Sequence, residues 1–119
     1  MPKYVDGFVI PVPRKKLAAY RALARKAGKI WKEYGALEYV EAVADDVKPG
    51  KWTSFPQSVK LKPNEVVWFS WNVYKSRRHR DAVNTKVLKD PRLANVGPEN
   101  APFDGKRMIY GGFKAMVDL

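Results

Sequence analysis

Few residues in this 119-residue chain could do acid–base chemistry, and they lie far apart in the sequence. The only histidine, His79, stands in the run "KSRRHRD" and carries the side chain whose ordinary pKa suits proton transfer near neutrality. Asp6 interrupts the otherwise apolar run "YVDGFVI". These two are the candidate catalytic residues, against the plainer reading of His79 as a partly exposed residue in the first turn of a helix. Glu38 and Glu41 are three apart on a predicted strand, hence on opposite faces, and cannot act as an acid–base pair. One of them is expected to point inward and to pair with Arg107 or Lys114. The chain has no cysteine, which excludes a thiolate nucleophile, a disulfide and a thiolate metal site. A single histidine argues against structural zinc, so no metal is expected. No phosphate-cradling G-x-x-x-x-G-K loop, G-x-S-x-G elbow or dinucleotide fingerprint occurs, and no cofactor is expected.

The net charge of +11 raises the question of an anionic partner. Lys75, Arg77, Arg78, Arg80 and Arg107 could form an anion-binding patch with the start of the second helix, where backbone N–H groups also favour negative charge. The same charges serve equally as a solvated shell. Nucleic-acid binding through the basic surface is carried as an alternative function.

These residues are positioned by a simple order of elements. "YVDGFVIPVP" (Tyr4–Pro13) reads as a first strand closed by prolines. From Arg14 the period changes: Leu17, Tyr20, Ala24, Ala27, Trp31 and Tyr34 recur at steps of three and four, predicting an amphipathic helix ended at Gly35. "ALEYVEAVADD" (36–46) reads as a second strand. A long connection with turn signals at Pro49-Gly50 and Pro63-Asn64 follows, and Trp52 and Phe55 within it suggest a lid. "EVVWFSWNVYK" is the third strand. Ser76 caps a second helix running from Arg77 to about Asp90, and "KRMIYGGFKAMVDL" is the fourth strand. The order β-α-β-β-α-β is the ferredoxin-like arrangement, an α+β fold with two helices on one face of a four-stranded antiparallel sheet. At this length one domain is expected.

The third strand is apolar on both sides. Val67, Phe69, Trp71 and Val73 share one face, and with Ile109, Phe113, Ala115 and Val117 they are the expected helix-packed core. Val66, Trp68, Ser70, Asn72 and Tyr74 share the other. Two helices cannot cover both faces, so a second copy of the sheet is expected to cover the remaining one, giving a homodimer. An aromatic platform for RNA bases is the rival. The third strand lacks the glycine and leading basic residue of that motif.

"YVDGFVIPVP", "KPGKWTSFP", "FSWNVYKSRRHRDAVNTKV", "DPR" and "PFDGKRMIYGGF" together resemble the YbaA-like proteins, domain-of-unknown-function family 1428, over about Tyr4 to Val117. The resemblance implies a dimeric α/β barrel in which two ferredoxin-like sheets pack face to face, and it leaves activity open. The wider dimeric α/β-barrel group includes small oxygenases that bind flat apolar ligands between sheet and helices. By that resemblance Trp31, Phe69, Trp71 and Phe103 are expected to wall such a pocket, with Arg78 and Arg107 available to an anionic group. Some haem-degrading members of the wider group use an amide, a tryptophan and a helical histidine. This chain has Asp6 where the amide would be, and His79 falls early in its helix, which counts against haem.

The expectation is therefore a homodimer that binds an aromatic or apolar small molecule, with room for an anionic group on it, as a cofactor-independent oxygenase or isomerase-like enzyme. A non-enzymatic stress or interaction protein is the alternative. The amino terminus does not resemble a signal peptide and no apolar run is long enough to span a bilayer, which points to a cytoplasmic protein without a membrane partner.

Overall fold

The computed structural model describes residues 2–94, 96 and 100–119. Strands β1 (Tyr4–Pro13), β2 (Glu38–Val43), β3 (Glu65–Tyr74) and β4 (Ile109–Lys114) form one antiparallel sheet in the order β2-β3-β1-β4. Helix α1 (Leu17–Glu33) follows β1 through a 3₁₀ turn, α2 (Phe55–Ser58) is a single turn between β2 and β3, and α3 (Arg77–Leu88) follows β3. This is the predicted ferredoxin-like α+β order, with α2 as an addition inside the long connection. Part of the irregular connection expected after the second helix, Asn95 and residues 97–99, lies outside the described residues.

Local chemistry sets the boundaries. Gly35 takes a φ of +112°, a conformation that side-chain-bearing residues rarely adopt, and turns the chain from α1 toward β2. Ser76 accepts a hydrogen bond from the His79 backbone N–H at 3.1 Å, which satisfies one of the free donors at the start of α3.

Register decides which side of the sheet is which. Tyr4, Asp6, Phe8, Ile10 and Val12 lie opposite Tyr74, Asn72, Ser70, Trp68 and Val66, and Tyr39 and Glu41 lie opposite Asn72 and Ser70. Directly opposed side chains share a face. This face is the one packed by α1 and α3. At one end Ile10, Val12, Tyr20, Ala24, Val66 and Trp68 form a buried cluster; at the other Tyr4, Ile30, Ala36, Tyr74, Val83 and Val87 form a second.

The expected core face is thus reversed. Phe69, Trp71, Ile109 and Phe113 point away from the two long helices, and Phe69, Ile109 and Phe113 remain 41%, 45% and 64% exposed. Ala115 and Val117 fall beyond β4. The uninterrupted apolar set on β3 is the open face, whereas the helix-packed set contains Ser70 and Asn72. The long connection also differs from expectation. Val59 packs with Val9 and Val67, and the Phe55 ring meets Phe69 at 5.8 Å, so this segment covers a corner of the open face and is no lid between sheet and helices. Trp52 is 86% exposed.

α1 approaches the sheet edge closely at Gly28, where an added Cβ would lie 2.5 Å from the Tyr39 ring. Alanine is normally the better helix residue by about 1 kcal/mol. Here Gly28→Ala is expected to destabilise the protein by roughly 1–3 kcal/mol, the usual range for overpacking. In a Tyr39→Ala background the same change should become neutral or stabilising. Urea denaturation of the four variants in that cycle measures the coupling, and a stabilising Gly28→Ala in the parent chain would refute the contact.

Candidate functional site

Between the two buried clusters the helices do not close on the sheet. A cavity of about 270 Å³ remains, walled by Phe8, Tyr20, Ala27, Trp31, Tyr39 and Phe103, with Ser70 and Asn72 on its floor and Glu41 at one side. The walls are ordered by ring contacts: Tyr20 packs on Trp68 at 4.7 Å and edge-on to Phe103 at 5.7 Å, and Trp31 lies 6.0 Å from Tyr39.

Glu41 is the ionisable group of this cavity. Its Oε1 accepts a hydrogen bond from the Tyr20 hydroxyl and its Oε2 one from the Tyr39 hydroxyl, each at 2.8 Å. It has no ion-pair partner among the described residues. Burial raises the carboxyl above its ordinary value, and the two hydroxyls offset that only in part. Burial first, and then the Glu41 charge, raise both tyrosines, so their hydroxyls stay protonated as donors. Each carboxylate oxygen retains a second lone pair. The arrangement can accept a hydrogen bond or a proton from a molecule in the cavity. Glu41 is the inward glutamate foreseen in the sequence, but its partners are tyrosines and not Arg107 or Lys114.

Beside the cavity, on the same face of the sheet, lies a second polar network. The Asn84 Oδ1 on α3 accepts from the Trp31 indole N–H at 3.0 Å and from the Tyr74 hydroxyl at 3.1 Å, and Asn72 donates to that same hydroxyl at 3.3 Å. Arg80 donates to Asp6 at 3.2 Å and to the Tyr4 hydroxyl at 3.3 Å while lying over the Tyr4 ring. Burial raises the Asp6 carboxyl, opposed by the Arg80 guanidinium and the Asn84 amide. Asp6 thereby joins β1 to α3.

The residues singled out in the sequence do not gather at one site. Trp31 and Phe103 line the cavity. Phe69 and Trp71 face the opposite side of the sheet, because alternation along β3 separates them from Ser70 and Asn72. Asp6 and His79 have separate partners: the His79 Nδ1 accepts from the Lys75 backbone N–H at 3.0 Å, and its ring stands edge-on to Tyr74. Arg78 is exposed. Arg107 is far from the start of α3 and clasps Glu65 at 2.7 Å, Asp104 at 2.8 Å and the Lys60 carbonyl at 3.0 Å. The anion patch expected at that helix start therefore loses Arg107 to this clasp and Arg80 to Asp6. Among the described residues no group of histidine, cysteine or acid side chains could hold a metal ion, and no helix is long and apolar enough to cross a membrane.

Residues 3–105 match the family model described as "Protein of unknown function (DUF1428)". The chain belongs to this family. It is 54% identical over 116 residues to "Uncharacterized protein YbaA" of Escherichia coli K12, covering 98% of each chain, and equally similar to the protein of that name from Shigella flexneri. Among solved structures it resembles a dimeric ferredoxin-like protein from an uncultured marine organism (TM-score 0.61, 12% identity, all of both chains). It also resembles an uncharacterized NIPSNAP domain protein from Burkholderia xenovorans (TM-score 0.52, 15% identity, 92% and 91% of the two chains). At these identities the structural likeness establishes the ferredoxin-like fold of this DUF1428 chain and nothing finer.

Glu41 gives a pH prediction. Because folding favours its protonated form, the folded chain binds more protons at this site than the unfolded one. Its contribution to stability must therefore decline as pH rises from the ordinary glutamate value of 4.5 through the raised one. The stability of Glu41→Gln relative to the parent should increase with pH across that window and then level off. Urea denaturation of both proteins from pH 4 to pH 8 measures this difference, and a difference independent of pH would contradict it.

Proposed function

We propose that this protein is a homodimer that binds a small apolar or aromatic molecule between its sheet and α1, with Glu41 as the group that accepts a hydrogen bond or a proton from it. The observation that carries the reading is the aromatic-walled cavity ending on a carboxylate held by two tyrosine hydroxyls and, among the described residues, by no cation. A half-buried carboxylate without a counter-charge, beside an apolar space, is suited to a ligand that supplies the missing partner.

The role of Glu41 departs from the acid–base pair foreseen in the sequence. His79 already commits Nδ1 to a backbone N–H, and Asp6 commits its carboxylate to Arg80 and Asn84. If the ligand is transformed, the chemistry this site can perform is proton removal by Glu41, the step on which an isomerase-like or cofactor-independent reaction of a phenol or carbon acid would start.

Support for the dimer comes from the open face. Val5, Val9, Phe69, Trp71, Ile109 and Phe113 line a shallow apolar hollow of about 630 Å³ on the side away from the long helices. An exposed apolar hollow on a sheet face is suited to burial against a partner. A second copy presents the same self-complementary sheet, and the ferredoxin-like neighbour from the marine organism is itself described as dimeric.

Native mass spectrometry of protein purified from cells tests assembly and ligand together. The expected species has twice the 13.6 kDa chain mass and carries an additional small molecule, which Ala27→Phe, filling the cavity wall, should remove. A monomer would overturn the assembly. A bare dimer that also fails to shift its melting temperature with any of a panel of aromatic acids, phenols and alcohols would overturn the ligand.

A further inference from the structure

On the outer side of Tyr39 and Glu41 lies a second depression, a groove of about 790 Å³ between α1 and the free edge of β2. It shares Ala24, Tyr39 and Glu41 with the inner cavity, so the two spaces adjoin at these residues. The two spaces differ in charge. Among the described residues the inner one is lined by a carboxylate and no cation, whereas Arg21, Arg25, Lys29 and Lys32 line the outer one.

Those four cations are spaced three and four residues apart and therefore run along one stripe of α1. Like charges at that spacing destabilise a helix by roughly 0.2–0.5 kcal/mol per pair. Little on the protein relieves them. Arg21, Arg25 and Lys29 make no ion pair or hydrogen bond among the described residues, and Lys32 donates only to the Leu37 carbonyl at 2.8 Å. Both carboxylates of the groove are already engaged, Glu33 by Arg92 at 2.7 Å and Glu41 by its two tyrosines. These cations line one groove, where a negatively charged group from outside would satisfy them.

The inner cavity sets the division of the ligand. At about 270 Å³ it falls just below the ~300–1,000 Å³ of sites that enclose drug-sized ligands, enough for an apolar ring system without its polar end. We infer that the ligand is an amphiphilic anion, its apolar part inside the cavity and its carboxylate or phosphate in the groove, with Tyr39 at the neck between them. Tyr39 can stand there because Gly28 beneath it has no side chain. This inference rests on the cavity being a ligand site and specifies the charge class that site takes.

A matched series tests it by isothermal titration calorimetry on the full chain: 2-naphthylacetate, 2-naphthylmethanol and 2-naphthylmethylammonium, which carry one ring system with a negative, neutral or positive end. The anion should bind at least about tenfold more tightly than the alcohol, a difference of about 1.4 kcal/mol. The double reversal Arg25→Glu/Lys29→Glu should remove that preference while leaving the alcohol unchanged, and Arg25→Gln/Lys29→Gln should remove part of it. Ala27→Phe should weaken all binding. Equal affinity for the three probes, insensitive to reversal, would overturn the charge assignment and leave the cavity reading intact. Preference for the ammonium would overturn it in favour of Glu41 as counter-ion. Anion binding that Ala27→Phe does not touch would reduce the groove to a surface anion site and overturn the two-part ligand. No binding by any probe would remove the cavity reading and this inference together.

Discussion

Ser70 and Asn72 interrupt the apolar side of the central strand, and what packs on that side is arranged around them. A buried amide or hydroxyl without a partner costs roughly 1–3 kcal/mol, so neither can be covered by aliphatic side chains alone. The apolar residues accordingly gather at the two ends of β3, around Trp68 at one and Tyr74 at the other. The middle is left to polar groups and to space. Asn84 answers this from α3, bridging Trp31 and Tyr74, and Arg80 brings a guanidinium to Asp6 one strand away. The cavity is the remainder of that compromise: α1 spans the gap without filling it.

The same interruption explains which parts of the fold were legible in the sequence. Element order, the helical stripe of α1, its termination at Gly35 and the Ser76 cap all rest on local rules, and each appears where those rules put it. So does the observation that β3 is apolar on both sides. Periodicity alone assigns the sides the other way round, because an unbroken set, Val67-Phe69-Trp71-Val73, looks more like a core than one containing Ser70 and Asn72. In this protein the unbroken set is the open face, and the mixed set lies under the helices because it supplies a polar floor. Hydrophobic periodicity identifies a buried face when the interior is purely apolar, and here it is not.

The site residues were less legible for a related reason. Trp31 and Phe103 carry enough bulk to be noticed and do line the cavity. For Glu41 the sequence supports only that one of Glu38 and Glu41 points inward, and it suggests the wrong partners, since nothing along the strand reveals that Tyr20, twenty-one residues earlier, will reach it. The signal that existed was compositional: a tyrosine on the apolar stripe of a helix and another two residues from the glutamate, both needing acceptors once buried. Asn84 carried a comparable signal, a polar side chain between Val83 and Val87 on the buried side of α3. Arg107 illustrates the reverse case. Its place in a basic sequence pointed to an anion site, but Glu65 and Asp104 occupy its whole guanidinium.

The two faces of β3 are joined by one backbone. Trp71 on the open face sits between Ser70 and Asn72, which form the cavity floor on the other, and Phe69 sits between Trp68 and Ser70. Any contact that fixes Phe69 and Trp71 also fixes the pleat that presents the floor, because alternate side chains on a strand cannot be reoriented independently of the backbone between them. β3 is moreover paired on both sides, by β1 and by β2, so it has little freedom to adjust. A partner sheet seated on the open face would therefore restrain the cavity without touching it. On this view the apolar face and the polar floor are two uses of a single rigid strand, and the unusual two-sided pattern in the sequence is the trace of both.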